Sequence, residues 1–278
     1  MAIKDILVSV DDDATSPART ALAVKLAKDH KARLTALYVS MAPRIPEYIR
    51  AQLPPSVAEV QAARMRETSE RLATDLGKVA RAENLDIEWR AVEGDIVATA
   101  MLHARYCDLT IVGQASDEAN VNRDVYARLG EDLVMGSGRP ILVAPRYGSF
   151  ASCGERILIA WNGTREATRA VHDALPLLVR AKQTMILSIN PGAAVNHRIP
   201  GSDIARHLAR HGVRCEATTT QADGDIEVGD VLLSRAADLG ADMLVMGAYG
   251  HSRLREMALG GVTRHLIKHM TAPTLMSH

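Results

Sequence analysis

Short apolar runs alternate with longer stretches of helical periodicity along the whole chain. The apolar runs predict strands at 4–11, 33–39, 86–92, 108–113 and 140–144, and again at 155–161, 183–190, 213–219, 242–247 and 273–277. The stretches between them predict helices at 15–30, 58–83, 95–105 and 123–136, then at 164–181, 201–211, 227–239 and 259–269. Because the apolar runs are nearly continuous and rich in Val, Ile and Leu, they predict parallel sheets covered by helices on both faces.

The second half of the chain repeats the pattern of the first. Three pairs of segments resemble each other in the same order: 4–11 and 155–162, 108–113 and 242–247, 139–145 and 272–278. A repeat of roughly 140 residues is a whole domain and not a short solenoid unit. We therefore predict an α/β protein with two tandem domains, 1–147 and 154–278. Each is expected to be a doubly wound, five-stranded parallel sheet of strand order 3-2-1-4-5.

The last strand of each half is an apolar sheet edge. Such an edge leaves backbone groups unpaired unless another strand or a loop covers it. Pairing of 140–144 with 273–277 would join the halves into an internal pseudo-dimer, and further association into a homodimer is a second expectation. Covering loops are the alternative.

The amino-acid composition limits the kinds of molecule that the chain is expected to bind. The formal net charge is zero and Phe150 is the only phenylalanine. Neither a general attraction to nucleic acid or acidic membranes nor a platform for stacking bases is therefore expected. Three widely spaced cysteines argue against a disulfide framework. The first residues lack the layout of a signal peptide, and no apolar run is long enough to cross a membrane. We expect a cytoplasmic protein.

Glycines follow the fourth strand of the second half. The apolar run ends at Gly247, Gly250 follows, and Gly260 and Gly261 precede a helical run that begins with Val262 and Thr263. Glycine lets backbone N–H groups approach an anion, and a helix N-terminus leaves such groups unpaired. In a doubly wound sheet, ligands lie beyond the carboxyl ends of strands 1 and 4. The motif and the topology predict the same crevice, with His251 and Arg253 as candidate phosphate contacts.

Other constellations favour less specific interpretations. Asp11, Asp12 and Asp13 follow the first strand, but the lysine that a receiver-type phospho-acceptor site needs at the end of strand 5 is absent, so helix capping is the simpler explanation. The pairs His207/His211 and His265/His269 have a metal-ligand spacing but lie among arginines. No catalytic motif of the GxSxG, HExxH or GxxxxGK[ST] type occurs. We assign no catalytic residue and no metal site.

The pattern Gly247-x2-Gly250-x9-Gly260-Gly261 resembles that of the universal stress protein family. A first strand ending in Asp or Asn, Gly-Asp at 94–95 and 224–225, and a final Pro-aliphatic strand strengthen the resemblance over nearly the whole chain. The resemblance implies an adenine nucleotide in the second half, ATP or a relative, with or without Mg²⁺. The residues carried over are Ala160, Asn162, Gly247, Gly250, His251, Arg253, Gly260, Gly261, Val262 and Thr263. Asn162 stands where the family has Asp, and Gly261 where it has Ser or Thr.

The first half departs further from the motif. Ser116 takes the place of Gly250, and Ala127-Arg128 takes the place of Gly260-Gly261. A degenerate site is therefore expected there, with Asp11 as its remaining family residue. The resemblance implies a stress-adaptation protein that binds a nucleotide without fast turnover. A nucleotide-independent scaffold and a weak ATPase are the alternatives. The role of the proline-containing loop 42–55 is left open.

Overall fold

The computed structural model describes residues 2–41, 54–114, 123–190, 201–222, 227–250 and 261–278. The strands of the first half are β1 (Asp5–Val10), β2 (Arg33–Ser40), β3 (Ile87–Glu93), β4 (Leu109–Gly113) and β5 (Ile141–Ala144). Those of the second half are β6 (Arg156–Ala160), β7 (Gln183–Ile189), β8 (Cys215–Thr220), β9 (Met243–Gly247) and β10 (Thr274–Ser277). The predicted strands are confirmed to within two residues at each end.

The helices of the first half are α1 (Ser16–His30), α2 (Pro55–Ala82), α3 (Ile96–Ala104) and α4 (Arg123–Gly136). The second half has α5 (Arg165–Asp173), α6 (Leu175–Leu178), α7 (Ser202–Arg210), α8 (Val228–Asp238) and α9 (Gly261–His269). The single helix predicted at 164–181 is wrong, because the segment forms α5 and α6. Pro176 has no N–H to donate to the carbonyl of His172, four residues earlier, so a new helix begins here.

The ten strands of the described residues belong to one sheet. Its order is β3-β2-β1-β4-β5-β10-β9-β6-β7-β8, so that both halves have the predicted order 3-2-1-4-5. The halves meet where β5 and β10 pair antiparallel, with Leu142 opposite Leu275 at the centre of the ladder. The predicted pairing of the two edges is confirmed. The two five-stranded sheets that the sequence predicts are thus joined in a single ten-stranded sheet.

Each face of the sheet carries its own core, and each core runs through both halves. Strand β1 sends Ile6 and Val8 to one face and Leu7 to the other, as the alternation of side chains along a strand requires. Helices α1, α2, α5, α6 and α7 cover the first face, and α3, α4, α8 and α9 cover the second. Because the cores are continuous across β5 and β10, the halves are stabilised together.

One polar interaction is repeated in both halves. Asp108, before β4, accepts hydrogen bonds from the backbone N–H groups of Lys4 and Asp5 at the start of β1. Asp242, before β9, accepts them from Gly154, Glu155 and Arg156 at the start of β6. Each aspartate thereby holds strands 1 and 4 in register, and their carboxyl ends emerge side by side.

Candidate functional site

Two equivalent crevices lie beyond the carboxyl ends of the central strands. We call the space beyond β1 and β4, next to Asp11 and Gly113, the N-terminal crevice. The space beyond β6 and β9, next to Asn162 and Gly247, is the C-terminal crevice. These strands are neighbours in the sheet in both halves, with Val8 beside Ile111 and Ala160 beside Met246. The two crevices therefore share one backbone plan, and their side chains differ.

An ion pair fills the N-terminal crevice. The guanidinium of Arg19, on α1, donates to Asp11 Oδ2 at 2.8 Å and to the carbonyl oxygen of Ser9 at 2.9 Å. The side chains of Arg19 and Asp11 are only 4% and 11% exposed. Because both partners are withdrawn from water, each depends on the other to offset its desolvation. The acid that ends β1 is thus already bound within the protein.

The same arginine lies over the end of β4. A Cβ placed on Gly113 would come within 2.2 Å of Arg19 Nη1. Gly113 therefore makes room for a side chain of the protein itself. The guanidinium occupies the position between strands 1 and 4 at which this fold offers a ligand site.

The C-terminal crevice has an exposed amide at the corresponding position. Asn162 Oδ1 accepts hydrogen bonds from the N–H of Thr164 at 3.2 Å and from its hydroxyl at 2.8 Å. Thr164 Oγ1 in turn accepts from the N–H of Ala167 at 3.3 Å and caps α5. Among the described residues, no partner engages Asn162 Nδ2, which leaves two donors for a ligand.

Gly247 is required by packing. A Cβ here would lie 2.3 Å from the backbone nitrogen of Ala167 and 2.5 Å from the backbone carbon of Glu166. The first turn of α5 thus rests directly on the end of β9. This close approach explains Gly247 without a ligand, and it contrasts with Gly113, which faces a side chain.

A carboxylate lies beside Gly250. A Cβ on that glycine would be 2.9 Å from Glu166 Oε2, and the Glu166 side chain is only 6% exposed. Burial raises the pKa of Glu166, but hydrogen bonds from Arg165, from its own backbone N–H and from Thr164 outweigh burial, so the pKa lies below its ordinary value. Glu166 is therefore ionised at neutral pH and places a negative charge at the start of the glycine loop.

The backbone of this loop begins with a strained residue. Tyr249, between the two glycines, has a φ of 57°, in the left-handed region that bulky side chains rarely adopt. For an L-residue this conformation costs about 1–2 kcal/mol. Strain of this kind persists where the surrounding structure imposes it, and it clusters at ligand sites and switch regions.

The remaining predicted residues are only partly described. Val262 and Thr263 lie in the first turn of α9, which begins at Gly261; Val262 is exposed and Thr263 half-buried. Ala160 is half-buried at the end of β6. His251, Arg253 and Gly260 lie outside the described residues, as does Ser116 of the first half. Arg128 is exposed on α4.

The two histidine pairs have different surroundings. His265 lies between carboxylates, with Nδ1 3.0 Å from Glu227 and Nε2 2.7 Å from Asp230. The His207 ring lies 4.7 Å from that of His211 and 5.1 Å from that of His172. Within the part of the chain that the structure describes, no group of three or more His, Cys, Asp or Glu side chains is arranged to hold a metal ion.

The sequence reasoning missed Arg19 and Glu166, although both carry a detectable signal. Arg19 lies three and four residues before the core residues Leu22 and Ala23, so it falls on the buried face of α1. Glu166 precedes Ala170 by four residues and falls on the buried face of α5. A charged residue on an apolar helix face needs a partner nearby, and this requirement could have drawn attention to both.

Solved structures of other proteins have the same fold as this chain. A universal stress protein from Archaeoglobus fulgidus DSM 4304 is 14% identical, with a TM-score of 0.77 over 98% of this chain and 95% of that chain. A functionally unknown protein from Pseudomonas aeruginosa PAO1 is 15% identical, with a TM-score of 0.58 over 99% and 92%. At these identities the likeness shows the fold alone. No curated protein matches the chain.

The family comparison covers both halves. The model of the universal stress protein family matches residues 2–144 and, separately, residues 154–278. The resemblance inferred from the glycine pattern and the repeated strands is thereby confirmed. With a match in each half, the chain belongs to the universal stress protein family as a tandem, two-domain member.

Proposed function

We propose that this chain is a cytoplasmic stress-adaptation protein that binds an adenine nucleotide, ATP or a relative, in its C-terminal crevice. The observation that carries the proposal is the contrast at the ends of β1 and β6. Asp11 is buried and ion-paired, whereas Asn162 is exposed and keeps two amide donors without a partner among the described residues. An amide can both donate to and accept from the edge of a base.

The charges favour one orientation of the nucleotide. The Glu166 carboxylate beside Gly250 repels phosphate, whereas the start of α9 favours it, because helix N-termini carry partial positive charge and unpaired N–H groups. We place the base near Asn162 and the phosphates near Gly261, Val262 and Thr263. Mg²⁺ on the phosphates would offset the repulsion from Glu166. Gly260, His251 and Arg253 stay part of the proposed site, although they lie outside the described residues.

Slow turnover or none is part of the proposal. Efficient phosphoryl transfer uses a positioned lysine, metal ligands and a group that orients the attacking water. The sequence has no GxxxxGK[ST] motif to supply that lysine. Bound nucleotide would then act as a stabiliser or a state signal. It would stabilise the folded chain by an amount that rises with the logarithm of its concentration above the dissociation constant.

Calorimetric titration of the purified chain with ATP, with and without Mg²⁺, tests this proposal. We expect one site per chain, and we expect the double substitution Gly250→Ala and Gly260→Ala to abolish binding while the fold is retained. Gly130→Ala is the matched control, because a Cβ there makes only ordinary contacts at 3.5 Å or more. Unchanged binding in the double variant would refute the site.

A nucleotide-independent scaffold is the second candidate, and two contacts favour it. The packing of α5 explains Gly247, and the Glu166 carboxylate opposes an anion at Gly250. Mass spectrometry of the denatured, freshly purified protein discriminates between the two, since the scaffold carries no nucleotide.

A homodimer would need surfaces other than β5 and β10, because these strands pair within the chain. Light scattering on the same sample would measure the oligomeric state.

A further inference from the structure

A cavity lies between the two halves, away from both crevices. Its volume is about 360 Å³, near the lower end of the range of small-molecule sites, roughly 300–1,000 Å³. The first half contributes His30, the last residue of α1. The second half contributes α6 with the residues that follow it, and His211 at the end of α7.

One wall of this cavity is apolar. Leu175, Pro176 and Val179 line it. The first two are half-buried, and Val179 is 51% exposed. A hydrocarbon group of a ligand would remove this surface from water at a gain of about 25 cal/mol per Å².

Of the four other lining residues, His30, Arg180 and His211 have basic side chains, and the fourth is Ala2. Burial lowers the pKa of His30, and the charge of Arg180 lowers it further. The acid beside this group, Asp29, already pairs with Lys25 at 3.0 Å. Among the described residues, Arg180 forms no ion pair with any carboxylate. The cavity therefore combines an apolar wall with an uncompensated positive charge.

We propose that this cavity binds a small organic anion, a carboxylate with a short hydrocarbon chain. The carboxylate would accept hydrogen bonds from the Arg180 guanidinium, whose fork of donors matches two carboxylate oxygens. The hydrocarbon would lie along Leu175, Pro176 and Val179. His30 and His211 also line the cavity, and each imidazole can donate a further hydrogen bond. This site is independent of the proposed nucleotide site, because no residue is shared between them.

Calorimetric titration of the protein with octanoate tests the inference. A second titration with 1-octanol, a neutral molecule of equal chain length, is the control for the carboxylate. Saturable binding of one octanoate per chain is expected, together with at least about tenfold weaker binding of octanol. Arg180→Gln should weaken octanoate about tenfold or more for the same reason. Val179→Asp should abolish binding, because it places a carboxylate in the apolar wall.

Arg206→Gln is the matched control. Arg206 is an exposed arginine on α7 that pairs with Asp203 and does not line the cavity, so its loss should leave octanoate binding unchanged. Arg180 and Val179 are themselves exposed, and thermal melting of each variant verifies the fold. The proposal is overturned if octanoate shows no saturable binding. It is equally overturned if Arg180→Gln and Val179→Asp bind octanoate as the unsubstituted chain does.

Discussion

The two crevices have the same backbone plan and different interior side chains. In the N-terminal crevice, the guanidinium of Arg19 lies between strands 1 and 4 and binds Asp11. In the C-terminal crevice, a carboxylate, Glu166, lies beside the glycine loop, and the residue that ends strand 1 is an exposed amide. In the first half the position beyond strands 1 and 4 is thus occupied by a buried ion pair, whereas in the second half the amide at the corresponding position is exposed.

A buried ion pair can close the position at which this fold offers a ligand site and still be part of the folded interior. A nucleotide entering the N-terminal crevice would have to displace a buried ion pair. Separating the two side chains would leave each charge without its partner, after folding has already cost each of them several kcal/mol of solvation. The sequence already shows that glycines are missing from the first half. The structure shows in addition that the space itself is occupied, so restoring the glycines would not restore a site.

The largest expected effect on the free energy of unfolding comes from replacing the glycine that ends strand 4 in each half. Gly247→Ala should lower the free energy of unfolding by about 3 kcal/mol or more, because its Cβ meets the backbone of α5, which cannot turn aside. Gly113→Ala meets only the Arg19 guanidinium and should cost less, at about 1–3 kcal/mol. Urea unfolding of both variants measures the difference. Equal losses would mean that the two strand ends are packed alike.

Substitutions of the residues that follow strand 1 in each half should differ nearly as much in their effect on the free energy of unfolding. Asp11→Ala leaves the Arg19 charge buried and unpaired and should destabilise the protein by about 3 kcal/mol. Asn162→Ala removes an exposed turn interaction and should cost less than about 1 kcal/mol. Urea denaturation at neutral pH compares them. The double substitution Asp11→Ala, Arg19→Met removes both charges and should recover part of the loss.

A smaller effect is expected on nucleotide affinity. Glu166→Gln removes the negative charge beside Gly250 and keeps the shape of the side chain, so ATP should bind about tenfold more tightly at low salt, with a smaller gain at high salt. Calorimetric titration at two salt concentrations measures this. A gain that does not depend on salt would contradict the electrostatic origin of the effect. Glu216→Gln, on β8, is the control for an unrelated carboxylate.

The smallest expected effect is on stability in acid. The pKa of Glu166 in the folded protein lies below its ordinary value of 4.5, so the carboxylate contributes stability above about pH 4.5. That contribution is lost as the pH falls through the lowered folded value. The melting temperatures of the unsubstituted protein and of Glu166→Gln should therefore differ at about pH 6. They should converge toward about pH 3, because the carboxylate is protonated there. Curves that stay parallel would show that Glu166 does not titrate in this way.

The fold could be predicted because it depends on patterns that are local in sequence. Continuous runs such as 109–113 and 243–247 identify buried strands, and the repeat fixes two copies of one topology. The two apolar edges needed a cover, either a loop or another strand, and the resemblance to the family favoured the pairing of β5 with β10 that the structure shows. Among the described elements, the break at Ala174 was missed, although Pro176 was the signal for it.

The interior of the two crevices could not be predicted with the same ease. Arg19 and Asp11 are eight residues apart, and their pairing depends on how α1 lies across β1 and β4. Gly247 looks like part of a ligand loop in sequence, while its contact with Ala167 depends on the distance between α5 and β9. Such contacts between elements are set by packing, which a single sequence does not display.

The antiparallel ladder between β5 and β10 also has an evolutionary consequence. Two separate copies of one such chain that met through this edge would dissociate on dilution and would share one sequence. Covalent fusion fixes their ratio at one to one and makes the association independent of protein concentration. Each half can then change alone, and an asymmetric pair, with an ion pair inside one crevice and an exposed amide at the other, is inherited as a single gene product.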